Sequence, residues 1–169
     1  DQVEEPLGEQ EPLERIDVGG PVTGLAVDPS GQRVAVGIEP GNLYVATIGQ
    51  DELLEVVPKA GSRPRALAFS LDGGYLFAAK GGFRAHLHDL STGILRAEYV
   101  TGSWLTGASF VDANTVAATG SDGTVLYAVR GGPPQRALPM AIDTFSTAAE
   151  ALAVAPDGRR LCAGDRDGN

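Results

Sequence analysis

Leu25-Ala-Val-Asp-Pro-Ser-Gly31 returns 42 residues later as Leu67-Ala-Phe-Ser-Leu-Asp-Gly73, after a further 41 as Ala108-Ser-Phe-Val-Asp-Ala-Asn114, and after 44 more as Leu152-Ala-Val-Ala-Pro-Asp-Gly158. Each copy runs from apolar residues into Pro, Ser, Asp, Asn or Gly, which reads as a strand passing into a turn. A second apolar run follows each turn: Val34 to Ile38, Tyr75 to Ala79, Thr115 to Thr119 and Leu161 to Gly164. These pairs are hairpins. Past another Gly-containing turn, three units continue into a third strand (Leu43 to Ile48, Phe83 to Leu90, Thr124 to Val129) and a more polar fourth (Leu53 to Val57, Leu95 to Val100, Gln135 to Met140).

Four short strands recurring every 41 to 44 residues match the blade of a β-propeller rather than a helical solenoid. The 23 Gly and 11 Pro supply the turns that so many short strands need. Ala35, Ala78, Ala79, Ala117, Ala118 and Ala163 keep the second strands small, as close face-to-face packing of neighbouring sheets requires. The expected fold is all-β: a propeller of four-stranded antiparallel blades, with about three and a half blades present. Repeats fall near residues 22–59, 64–100, 104–141 and 149–169. Leu13 to Val18 reads as the outer strand of a preceding blade, and open sheet edges at both ends predict an isolated chain that self-associates.

Residues 67–73, Leu87-His-Asp-Leu-Ser-Thr-Gly93, Ala118-Thr-Gly-Ser-Asp-Gly123 and Ala155-Pro-Asp-Gly158 resemble the WD40-repeat family, and the resemblance runs from about Leu13 to Asn169. It departs from the family's pattern in two ways. No unit has the Gly-His dipeptide, and Trp-Asp survives only as His88-Asp89. Asp122 stands at the position of the Asp in the family's buried Asp-His-Ser-Trp network, so a divergent, partial propeller is expected. The resemblance implies a noncatalytic protein-interaction platform or scaffold subunit in the cytoplasm. Its last unit, Ala149 to Asn169, is also similar to repeats in large scaffold proteins of centrosomes, cilia and stress-kinase signalling, about one blade in extent.

Charge separates a tail from this body. Asp1, Glu4, Glu5, Glu9, Glu11 and Glu14 precede the first base, Arg15, so two thirds of the net charge of -9 lies in the first 14 residues. Residues 1–12 are expected to form an acidic flexible tail, and 13–169 the propeller. Excess negative charge disfavours nucleic acid as a partner, and no apolar run is long enough for membrane insertion. Cys162, the one cysteine, sits between Leu161 and Ala163 and reads as a small buried thiol.

No catalytic constellation, metal site or cofactor motif is found. His86 and His88 share one strand face, but two ligands are not a metal site. Asp28, Asp72, Asp112 and Asp157 recur at equivalent turns, where a carboxylate caps backbone amides. Turns such as Lys80-Gly81-Gly82 lack the Gly-Lys-Ser or Gly-Lys-Thr of a phosphate loop. An enzymatic propeller of lactonase or dehydrogenase type, with its active residues in further blades, is the alternative.

The second unit is a basic island. Lys59, Arg63, Arg65, Lys80, Arg84 and Arg96 meet only Asp72 and Asp89 between positions 59 and 96. Lys59, Arg63 and Arg65 belong to the loop leading into the innermost strand, and Lys80 and Arg84 flank the loop between the second and third strands. Those loops share one face of a propeller. The expected partner is a protein or peptide, acidic or phosphorylated, docked on these five residues with Trp104 as an aromatic anchor. Further blades would come from the same or another chain.

Overall fold

The computed structural model describes residues 15–50, 53–57, 62–81, 83–101, 103–121, 123–128, 135–136, 148–165 and 167. Every regular element among them is a strand. The first sheet contains β1 (Val22–Val27), β2 (Arg33–Ile38), β3 (Leu43–Thr47) and β4 (Leu53–Val57). The second contains β5 (Ala66–Phe69), β6 (Tyr75–Lys80), β7 (Arg84–Asp89) and β8 (Ile94–Val100). The third contains β9 (Leu105–Phe110), β10 (Thr115–Gly120), β11 (Gly123–Ala128) and β12 (Gln135–Arg136). A two-stranded sheet of β13 (Ala149–Val154) and β14 (Leu161–Asp165) follows. Strand order in each sheet follows the chain, and every pair is antiparallel.

The hairpin turns explain why the repeat is visible. The amides of Asp28, Ser70 and Ala155 each donate to the carbonyl five residues on, at 2.9 Å. Gly31, Gly73 and Gly158 adopt φ of 71, 67 and 68° inside those turns, a left-handed conformation that glycine takes without steric penalty. The third turn closes one residue sooner, from Val111 to Thr115, and has Asn114 in place of the glycine. Side chains complete the turns. Asp28 accepts from the amides of Gln32 and Arg33, Asp72 from Gly74, Asp112 from Asn114 and Asp157 from Arg159.

Two apolar cores lie between sheets rather than within them. Ala35, Leu43 and Val45 of the first sheet meet Leu67, Phe69, Leu76 and Ala78 of the second. On the opposite face of the second sheet, Ala68, Phe77, Leu87 and Tyr99 meet Leu105, Phe110, Val116 and Ala118 of the third. The approach is close where residues are smallest: a Cβ on Gly37 would lie 2.7 Å from the Pro64 carbonyl oxygen. Polar cross-links join successive sheets, including the third to the two-stranded sheet. Thr23 Oγ1 donates to Pro64 O and Thr106 Oγ1 to Ala149 O, each at 2.7 Å, while Arg33 Nη2 donates to Gly73 O at 2.7 Å.

Three expectations are corrected. Residues 15–18 form no strand, since no described strand lies beside them to pair with their backbone; Leu13 and Glu14 are outside the described residues. β7 begins at Arg84 rather than Phe83, whose φ of 58° takes it out of the extended region. Cys162 is exposed, not buried. Its partner across the hairpin is Ala153, the counterpart of Ala68 opposite Phe77 in the second sheet. Cys162 therefore stands where Phe77 does, on the face that the next sheet covers, and no described sheet covers it. Native labelling with a maleimide is expected to modify Cys162 completely without denaturant; a thiol that reacts only after unfolding would contradict this exposure.

Residues 1–12, Lys59 and Asp122 lie outside the described residues, as do 137–140 of the fourth strand expected to reach Met140.

Candidate interaction face

The loops leading into the second and third sheets meet the β2–β3 and β6–β7 loops on one face. Arg63 Nε pairs with Glu39 Oε1 at 2.8 Å, joining two of these loops across adjacent sheets. A Cβ on Gly81 would lie 2.9 Å from Ser62 Cβ and 3.3 Å from Trp104 Cζ3, so three loops converge there.

At the centre of this face stand Thr23, Thr106 and Glu150 of the innermost strands and Arg65 just before β5, each two residues before the first position of its repeat motif. Together with Val22, Glu39 and Arg63 they line an open depression of about 470 Å³. The threonine hydroxyls are already engaged with backbone carbonyls of the next sheet. Arg65 is exposed and makes no ion pair among the described residues.

The basic island divides once its partners are visible. Arg84 Nη1 pairs with Glu98 Oε1, and the second oxygen of the same carboxylate lies 2.9 Å from His86 Nε2. The His86 bond holds Glu98 below the usual carboxylate range, and Arg84 adds to the effect. Lys80 corrects the expectation of an exposed cation. Its side chain is largely buried, which lowers its pKa while Glu98 partly opposes the shift. The reason is alternation: Lys80 lies on the strand face of Leu76 and Ala78, which packs toward the first sheet.

The two histidines are on that same face, their ring centroids 5.7 Å apart. Burial, reinforced by Lys80, lowers the pKa of His86. His88 is more deeply covered; burial, then Lys80 and His86, pulls it down to about 4. Its Nε2 is buried and has no hydrogen-bond partner among the described residues. Among the described residues no group of three His, Cys, Asp or Glu side chains is placed to hold a metal.

Trp104 extends from the loop before β9, 54% exposed, and meets Phe83, 44% exposed, edge to face at 5.8 Å. Sequence reasoning missed Phe83, placing it inside a strand, and missed the carboxylates of Glu39 and Glu98. Glu98 was accessible in principle, since it sits directly opposite His86 in the β7–β8 register. Glu39 comes from another repeat and has no local signal.

No protein-family model and no curated protein matches this chain. Solved structures do. The β-propeller domain of Myceliophteria thermophila Cps50 (Swd1) superposes with a TM-score of 0.74 at 19% identity, covering 89% of this chain and 50% of that one. For the WD40 repeats of RRP9 the TM-score is 0.66 at 14% identity, covering 79% and 42%. The fold is that of a WD40 β-propeller. A chain of Kuenenia stuttgartiensis hydrazine synthase has the same propeller-like architecture, with a TM-score of 0.68 at 19% identity over 91% of this chain and 44% of that one. This chain spans about half the length of the solved chains it matches. At such identities the likeness concerns the fold. WD40 propellers commonly serve as protein-interaction scaffolds, and one similar structure is an enzyme.

Proposed function

We propose that this propeller segment is noncatalytic and binds an acidic or phosphorylated protein segment through the face carrying Arg63, Arg65, Lys80, Arg84 and Trp104. The observation that carries the reading is the convergence of Arg63, Arg65 and an exposed Trp104 on one face, from loops leading into two successive sheets. Within that set the roles differ. Arg65 meets the partner's charge directly, Arg63 and Arg84 must share theirs with Glu39 and Glu98, and Lys80 contributes its field from beneath the surface. Fold alone assigns no function, so this reading stands on the face.

A further blade, from the same or another chain, fits the outer face of the first sheet. Leu25 and Val27 are 61% and 60% exposed there, whereas their counterparts Leu67 and Phe69 are each 6% exposed beneath the first sheet. The alternative enzymatic reading is favoured by the similarity to hydrazine synthase, and turnover of a small-molecule panel by the chain with its remaining blades would establish it.

Titration with poly-L-glutamate at two salt concentrations tests the interaction face. Arg63→Ala combined with Arg65→Ala is expected to weaken binding by about 1–2 kcal/mol and to reduce its salt dependence. Arg84→Ala, on a wet rim and already paired, is expected to cost well under about 1 kcal/mol. Equal affinity and equal salt response in wild type and double variant would remove the face from consideration.

A further inference from the structure

We infer that Phe83 and Trp104 form a ready-made seat for one apolar side chain of an extended peptide, and that Arg65 holds an acidic residue of the same peptide. The inference rests on the interaction face proposed above and specifies what that face reads.

The two rings come from different loops yet meet edge to face at an interplanar angle of 77°, a favourable aromatic geometry. Neither belongs to the two buried cores, and both leave about half their surface open. Phe83 keeps its outward position with φ at 58°, a backbone conformation that bulky side chains rarely adopt. Strain of this kind persists where surrounding contacts impose it, and here they do. The Thr101 amide donates to the Phe83 carbonyl at 2.8 Å, and Thr101 Oγ1 donates to the Ser103 carbonyl at 2.8 Å, fixing both loops. Gly81 leaves room for the indole, which lies against the space where a Cβ would stand. The seat is therefore organised before any ligand arrives, which lowers the ordering penalty of binding.

Charge and layout identify the occupant. Arg63 and Arg84 are tied to glutamates and Lys80 is covered, so Arg65 is the described cation of this face left to pair with an incoming acid. Ser62, on the loop that carries Arg65, packs with Trp104 against Gly81, which brings that loop beside the aromatic pair. A ligand that touches both must span that loop on an open surface, which suits an extended peptide bearing one apolar and one acidic side chain.

Trp104 is the chain's only tryptophan, so its emission reports on this seat alone. The full chain is panned against a phage-displayed library of random dodecapeptides, and the selected peptides are titrated by tryptophan fluorescence. The selected peptides are expected to share an apolar residue and an Asp or Glu, and to shift Trp104 emission saturably. Changing the peptide's apolar residue to Ser, or Phe83→Gly in the protein, is expected to weaken binding at least about tenfold. Glycine tolerates the left-handed backbone at position 83, so this variant removes the ring while sparing the fold, which a thermal melt verifies. Arg65→Ala is expected to weaken binding by a similar factor and to abolish discrimination between acidic peptides and their amide counterparts. Binding that ignores Phe83→Gly and the Ser peptide, but fails in Arg65→Ala, overturns the aromatic seat and leaves the basic face standing. Binding insensitive to all of these changes, or a library without any binder, overturns both.

Discussion

Phe77→Ala is expected to destabilise the chain by about 3–5 kcal/mol, enough to unfold it if its stability is at the low end for a domain of this size. Phe77 is the largest fully buried side chain among the described residues and is located on β6, pointing from the second sheet into the third. Its ring lies 5.9 Å from that of Tyr99, and its other neighbours include Ala66, Ala68 and Ala118. Those alanines have no side-chain length with which to refill the space, so the cavity would stay open. Urea unfolding of both proteins gives the difference, with Phe77→Leu as a control expected to lose much less. A loss below about 1 kcal/mol for Phe77→Ala would show that the sheets are not packed through this ring.

Stability is also expected to fall by about 3 kcal/mol between pH 7 and pH 4 through His88 alone. The folded protein holds this imidazole at a pKa of about 4, against an ordinary value of 6.5. Since the folded-state pKa of this base is depressed, the unfolded chain binds the proton first. The contribution is therefore fully present above pH 6.5 and is lost as pH falls toward 4. His86 acts in the same direction, its pKa lowered by burial and by Lys80. Asp28 acts at lower pH: burial raises its pKa, but the Arg33 amide, the Ser30 hydroxyl and the Arg33 guanidinium more than offset it, so its contribution is lost below about 3.8. His88→Leu isolates the effect. His88 pairs with Leu76 and Leu95 across the sheet, so leucine suits the site and removes a buried nitrogen with no partner among the described residues. The variant is expected to be no less stable at pH 7 and to show a much shallower pH dependence between 4 and 6.5. An unchanged slope would assign the pH response to other groups.

Much of the architecture was legible because its signals are local. A turn at Asp28 to Arg33 or Ser70 to Tyr75 needs a glycine at one defined position and a carboxylate or hydroxyl that can reach nearby amides, and both are written in adjacent residues. The face shared by Arg63, Arg65 and Trp104 was legible for a related reason, since repeat position assigns a loop to one end of the sheet. Phe83 was not. Its displacement from the strand comes from a single left-handed residue, and no residue type there announces it.

The sequence by itself determined the period, the hairpins and the small residues that let sheets approach, because turn chemistry and side-chain alternation act over a few residues. Only the tertiary structure decided which side of each strand is covered. Cys162 and Phe77 occupy equivalent positions, yet one is exposed and the other fully buried, because among the described residues a following sheet packs only against Phe77. Lys80 became a buried cation and Arg63 half of an ion pair because residues about 25 to 40 positions away, in the first sheet, supply the covering surface and the Glu39 carboxylate. A strand buried on both faces carries no alternation to show which neighbour each side meets; that is decided by the sheets stacked on either side.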